Sequence, residues 1–426
     1  IRDCLLSRGL GDVYKRQVDN DLIRNKGIMS AAQTMWTIDF DSEQSLEIGK
    51  VQNQKFTGKC WIYAGLNLLR ILANRKNSRT SIILSANYIA YYDKYEKSKY
   101  FFEKVIETMK LPSDNRLVEH LFKNPCPDAG QWAMFNNIIK KYGIVPQESM
   151  PDTYSALDTN QMNICLSTIL RDSGCNIRKL NMKGASLEQI NSEVETKMDE
   201  IRRILSLCLG EPPTEFQYGK MEKKYSPISY YKSEIGVDLD KYLCLINAPM
   251  LKVPMYKKYC IQNLNNMSEG KKIEYINLPI ETLKEKVIEQ IADGTPVWFG
   301  CDAGKMIDKK TGIMDDNTFN VSHILNTSYL FSKGEQLEYH QSEMNHAMLI
   351  IGIILKDQKV VGFKVEDSHG NQVGKDGYFY MSIDWFEKYV YQVVIDKRYL
   401  SMDEEKILDG ESLYLMPWNP MGTLAN

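Results

Sequence analysis

The sequence predicts an α+β protein, mainly helical in its first half and mainly strand in its second, with a cleft between the two unlike halves. Three observations predict it. Apolar residues recur at three- and four-residue spacing through residues 60–75 and again through 187–209. From about residue 295 the texture changes to short β-rich runs, TPVWFGC, HAMLIIGIIL, VGFKVED, GYFYMS and YVYQVVID, separated by Gly and Asp turns. Neither half contains an internal repeat or a low-complexity tract.

Taken in order, the opening IRDCLLSRGLGDVYKRQ has an apolar run of only Cys4 to Leu6 and does not form a secretory signal. Residues 1–17 are expected to be a non-native or disordered leader outside the fold. NQKFTG reads as a loop ending in Gly58, and the helix that follows places Trp61, Ala64, Leu68, Leu69 and Leu72 on one face. Cys60 therefore sits at or beside a helix N-terminus. Helical patterns continue through ANYIAYYDKYEKSKYFFEKVIETMK and GQWAMFNNIIKKYG. Ser186 and Gln189 form a capping-box pattern for a helix over 187–209, with Ile190, Val194, Met198, Ile201, Leu205 and Cys208 at helical spacing. Gly210, Pro212 and Pro213 stop it.

A chain of 426 residues buries a large core and is expected to form more than one domain. Lysine plus arginine (53) nearly balances aspartate plus glutamate (55), which argues against a dedicated nucleic-acid binder. Nine cysteines without a CxxC pair read as free thiols in a reducing compartment, and a cytoplasmic location is expected. No apolar run approaches the roughly 18 residues of a membrane span. GCDAGKM at 300–306 fails the phosphate-loop pattern, because three residues separate its glycines and Met306 replaces Ser or Thr. No two histidines have metal-ligand spacing, so neither metal nor cofactor is expected.

Cys60 carries the most chemistry. A thiol at a helix N-terminus feels the positive end of the helix dipole, and a neighbouring imidazole favours the thiolate further. An acyl-transfer intermediate then needs oxyanion donors, which the Cys60 N–H and the Gln54 side-chain amide can supply. Among five histidines, His120 lies in a helical polar stretch, and His323 and His340 lie in polar segments away from strands. His346 opens the most apolar strand, a rigid place for a base, and His369 follows Asp367 by two residues at a strand end. Taken singly, each residue also has a plain reading: a packed core cysteine, a loop glutamine, a structural histidine.

NQKFTGKCWIYAGLN resembles the nucleophile segment of papain-like cysteine peptidases, and more closely that of the bleomycin hydrolase and aminopeptidase C family. DAGQWAMFNNIIKKYGIVPQESMPDTYS, LCLGEPPTEF, PVWFGCDAGK, YHQSEMNHAMLIIG and the ending PWNPMGTLAN resemble further blocks of that family in the same order. The resemblance implies a papain-like two-domain fold with a helical insertion. It divides the chain into a helical domain carrying the nucleophile (18–155), a helical insertion (156–240), a β-rich domain carrying the histidine (241–410) and a C-terminal arm in the cleft (411–426). It implies Cys60 as nucleophile, Gln54 as oxyanion donor and His346 as general acid/base, with Asp367 at the third catalytic position. Asn345, Ala425 and Asn426 are implied as substrate-binding, the terminal carboxylate holding the substrate's α-ammonium. The activity implied is a cysteine aminopeptidase of broad specificity acting on short peptides, assembled as a homohexamer.

The pattern breaks at Glu366-Asp367-Ser368-His369-Gly370, where the family carries Glu-Asn-Ser-Trp-Gly. A carboxylate at 367 still accepts a bond from His346 and raises its pKa more than an amide oxygen does. In an extended segment residues 367 and 369 face the same side, which places His369 to compete for that carboxylate or to leave the contact wetter. Ala129, where the family has glycine, is expected to be silent. The alternative function is a weakened relative acting as an oligomeric peptide-binding shell.

Overall fold

The computed structural model describes residues 41–46, 49–77, 82–219, 223–319, 328 and 330–425. Residues 1–17, His323 and Asn426 lie outside the described residues. The helical half contains α1 (Cys60–Asn77), α2 (Ala86–Thr108), α3 (Arg116–Lys123), α4 (Trp132–Tyr142), α5 (Asn160–Met182) and α6 (Leu187–Leu209). Helix α6 begins at the capping box expected for it, with Ser186 Oγ accepting from Gln189 N and Gln189 Oε1 accepting from Ser186 N. Gly210 closes it with a backbone N–H to the Ser206 carbonyl.

Helix α1 differs from the one-faced helix that its spacing suggests. Trp61, Leu66, Leu68, Leu69 and Ile71 are all buried, as are Asn67 and Arg70, whereas Leu72 is only half-buried. The helix runs through the middle of the molecule and has almost no solvent face, so its polar positions are occupied by buried, bonded groups.

The strands begin earlier than the texture change at 295. β1 (Ser42–Ser45), the hairpin β2 (Phe216–Tyr218) and β3 (Lys223–Tyr225), β4 (Tyr242–Ile246), β5 (Lys257–Ile261) and β6 (Glu274–Asn277) precede it. They are followed by β7 (Val297–Cys301), β8 (Ile307–Asp308), β9 (Ile313–Met314), β10 (His346–Lys356), β11 (Lys359–Glu366), β12 (Tyr378–Ser382), β13 (Val390–Asp396) and β14 (Leu413–Leu415). One mixed sheet runs β14-β5-β6-β4-β13-β7-β10-β11-β12-β9-β8, with β1 also paired to β10.

That sheet separates two cores. On one face Ala347, Leu349 and Ile351 of β10 join the core that includes Trp61, Leu68 and Phe135. On the other, Met348 and Ile350 pack with Leu283, Val287 and Ile291, spaced four apart along α7 (Ile280–Ala292), and with Trp385 and Phe386 of α8 (Ile383–Tyr389). Strict alternation holds until the register shift between Ile350 and Gly352, after which Ile353 falls on the α7 side. Because both faces are covered, β10 reads as an unbroken apolar run. Among the described residues no helix is long and apolar enough to cross a membrane.

Candidate active site

Four segments converge at the edge of this core. Cys60 is the first residue of α1, so its backbone N–H has no intrahelical acceptor, and its side chain is buried. The loop before it is fixed by Asp128, whose Oδ2 accepts from Gly58 N at 3.2 Å and from the Thr159 hydroxyl. Lys94 Nζ lies 2.7 Å from the other oxygen. Burial alone would raise the Asp128 carboxyl, but Lys94 and these donors hold it well below the usual carboxylate range. The Asp128 carbonyl accepts from Trp61 Nε1 at 2.8 Å, and Gly130 lies flat on the same indole. A Cβ at Gly130 would fall 2.4 Å from that ring, so this position requires glycine.

His346 enters from the strand side. It opens β10 opposite Cys301 of β7, where the ladder fixes its backbone. Its Nε2 lies 2.8 Å from Asp367 Oδ1. It also shares a hydrogen bond with Cys60, which therefore falls to the remaining ring nitrogen, Nδ1. Burial would lower the His346 pKa; the charges of Cys60 and Asp367 outweigh it and push it up to about 10. Burial would likewise raise Asp367, but His346 and His369 hold it well below the usual carboxylate range.

His369 does not displace His346. The two rings take one carboxylate oxygen each, with His369 Nδ1 2.6 Å from Oδ2, and their centroids are 5.5 Å apart. Asp367 Oδ1 also accepts from Ser368 N at 2.8 Å. His346, Asp367 and His369 thus form one cluster, in which the two histidines share the carboxylate and do not compete for it.

Gln54 is buried and held at three points. Its N–H donates to the Ser368 carbonyl (2.7 Å), its Oε1 accepts from Ser368 Oγ (2.6 Å) and its Nε2 donates to the Thr57 carbonyl (2.6 Å). An amide nitrogen carries two hydrogens, so one remains for a ligand. Beside it Asn53 Nδ2 donates to the His369 carbonyl at 2.9 Å, and Gly370 N to the Gln52 carbonyl at 2.9 Å. Gly370 adopts φ +76°, a conformation that favours glycine at this turn. Deeper still, Asn67 Nδ2 donates to Glu366 Oε1 (2.8 Å) while Arg70 donates to Asn67 Oδ1 (2.7 Å), tying α1 to the end of β11. Asn53, Ser368, Asn67, Arg70 and Glu366 were not singled out from the sequence. The one signal was that Glu366 and Ser368 flank Asp367.

Asn345 is exposed and lines a cavity of about 200 Å³ with His346, Asp367 and His369. Its amide braces a neighbouring loop, donating to Asp302 Oδ1 (2.8 Å) and accepting from Ala303 N (3.0 Å). The C-terminal segment Pro420–Ala425 forms a 3₁₀ turn with Leu424 and Ala425 buried. Thr423 Oγ1 donates to the Met344 carbonyl at 2.9 Å, two residues before His346. Leu424 packs close to Gly300, which pairs with Ala347.

Comparison with known proteins agrees with this geometry. The chain is 35% identical to aminopeptidase C of Lactobacillus delbrueckii subsp. lactis over 416 residues, covering 94% of this chain and 93% of that protein. It is 36% identical to bleomycin hydrolase of Gallus gallus over 391 residues, covering 88% and 86%. The crystal structure of PepW from Lactobacillus rhamnosis HN001 superposes with a TM-score of 0.87 at 35% identity, covering 98% of each chain. Residues 11–422 match the Peptidase C1-like family. The cysteine, the histidine held between it and a carboxylate, and a likeness running nearly end to end lead to one statement: the chain belongs to the peptidase C1-like family.

Proposed function

We propose that this protein is a cysteine-type aminopeptidase that removes N-terminal residues from short peptides through a thioester on Cys60. The observation that carries the reading is His346, bonded to Cys60 on one side and to Asp367 on the other. The Cys60 thiolate attacks the carbonyl carbon of the first peptide bond. The oxyanion is received by the Cys60 N–H and the spare Gln54 hydrogen. His346 then gives its proton to the leaving amine as the C–N bond breaks. The shortened peptide leaves as that amine. Water then attacks the aminoacyl thioester, its proton passes to His346, and the N-terminal residue is released as a free amino acid while the Cys60 thiolate is restored.

The assignment of Gln54 has a direct consequence. Gln54→Ala is expected to lower kcat about 10²–10³-fold, with KM changed far less, as removal of one oxyanion donor does. Steady-state kinetics on an aminoacyl amide would read this. A Gln54→Ala enzyme with full kcat would place the oxyanion elsewhere.

The exopeptidase character rests on the buried turn Pro420–Ala425 against the start of β10. On this reading a carboxylate carried by the arm would meet a peptide's α-ammonium, and the exposed Asn345, with one amide hydrogen not used in bracing its loop, would supply a second contact. We further read the chain as the helical, insertion, β-rich and arm segments described above, assembled as a homohexamer in the cytoplasm. The weakened-shell alternative needs a lost contact at position 367; the 2.8 Å bond to His346 counts against it. The test compares an aminoacyl fluorogenic amide with the same amide blocked at its amine. Cleavage of only the free-amine substrate is expected. Equal cleavage of both would make the protein an endopeptidase, and cleavage of neither would favour the shell.

A further inference from the structure

We infer that His346, Asp367 and His369 form a zinc site that switches the peptidase off. The inference uses the same side chains as the proposed chemistry but rests on their geometry alone. One ligand atom from each lies within 4.8 Å of the other two. The Asp367 carboxylate already lies against both rings, its Oδ1 2.8 Å from His346 Nε2 and its Oδ2 2.6 Å from His369 Nδ1.

Two imidazoles and one carboxylate are a zinc donor set that leaves a fourth position open. With metal–ligand bonds of about 2.0–2.1 Å in tetrahedral arrangement, ligand atoms sit roughly 3.3 Å apart. Asp367 has therefore to retreat by a fraction of an ångström and His369 to swing inward. His369 has the freedom for this: its side chain is one-third exposed, on the turn that ends at Gly370. Room for the fourth ligand, a water, is supplied by the cavity of about 200 Å³ that touches all three residues. Lys309 also lines that cavity, so the ion meets one positive charge there beside the carboxylate.

The balance is simple. Zinc takes the lone pairs of His346 Nε2 and His369 Nδ1 and releases the two protons that now bridge these nitrogens to Asp367. His346 keeps a proton on Nδ1, facing Cys60, and can no longer accept another. The Cys60 thiolate keeps that Nδ1–H as its partner, but passing this proton to the leaving amine would leave an imidazolate on the metal. Acylation therefore stalls before the amine departs while the metal is bound.

The test reads metal directly, in full-length Cys60→Ala protein, so that the thiol facing His346 does not contribute. Zn²⁺ is titrated calorimetrically and Co²⁺ by visible absorption. One equivalent of Zn²⁺ and a tetrahedral Co²⁺ spectrum are expected. Adding His369→Trp is expected to weaken binding by about 10–100-fold or more. His369→Gln serves as the second variant should the tryptophan fail to fold. In the wild type, Zn²⁺ inhibition should be reversed by a chelator and reduced in parallel by the His369 substitution. Zinc bound equally well without His369, or no binding by Cys60→Ala protein, would overturn the inference. Cleavage in chelator-containing buffer tests the aminopeptidase reading separately, so neither failure is mistaken for the other.

Discussion

The Cys60→Ala protein is expected to lose about 10⁶-fold in hydrolysis of an aminoacyl amide and to keep its fold. The loss is total because no neighbouring group can replace the sulfur. Cys301 is the other thiol near His346, and burial together with the charges of Asp302 and Asp367 raises its pKa well above the ordinary range. It is therefore an inert thiol in the sheet. Structurally the substitution removes one atom from a helix start held by Trp61, Asp128 and the Gln54 loop, and costs about 1 kcal/mol. His346→Ala should be as damaging, and the double variant no worse than either single one, because the two residues act as one unit. Rate constants for the three variants, with melting temperatures, would check this. Losses that add would mean that the cysteine and the histidine act separately.

Some of this arrangement was legible in the residues and some was not, for identifiable reasons. The capping box at Ser186 and the apolar run from His346 are local signals, and both elements lie where those signals put them. Asp367 and His369, expected on one side of an extended segment, do meet through a hydrogen bond, although both lie beyond the end of β11. Helix α1 reads as one-faced because Asn67 and Arg70 look like solvent positions. They are buried donors in a network whose partners, Glu366 and Gln52, lie on other segments. β4 to β6 fall outside the β-rich stretch read from about residue 295: YLCLI, KKYCI and EYIN are isolated short runs separated by polar, proline- and asparagine-containing segments. The three-point hold on Gln54 is equally silent: it depends on Ser368, more than 300 residues away. Long-range polar pairing leaves no periodic trace, whereas the apolar patterns that build the cores do.

Position 367 should produce the second large effect, and its size depends on which substitution is made. Asp367→Ala removes the acceptor of His346 Nε2, frees the ring to turn away from Cys60, and is expected to cost about 10³–10⁴ in kcat. Asp367→Asn keeps an acceptor oxygen for His346 and should cost far less at neutral pH. Its amide NH₂ faces His369, which must then present a lone pair at Nδ1 instead of a proton. The pH profile separates charge from geometry. In the native enzyme His346 is pushed up to about 10, so the active imidazolium is lost only as pH rises toward that value. Removing the carboxylate's charge should bring the alkaline limb down by about 1–3 units. Stability follows the same signs. The raised His346 stabilises the fold fully below its unfolded pKa of about 6.5, and this contribution fades as pH rises to about 10. The depressed Asp367 contributes above its unfolded value of about 3.9 and loses that contribution as pH falls. The native protein should therefore exceed the Asp367→Asn variant in stability most between about pH 4 and 6.5 and least above 10. Denaturant midpoints across that range, set beside the kinetic profile, give two independent readings of one ion pair. An alkaline limb that stays in place in Asp367→Asn would show that the carboxylate's charge does not set the histidine's proton affinity.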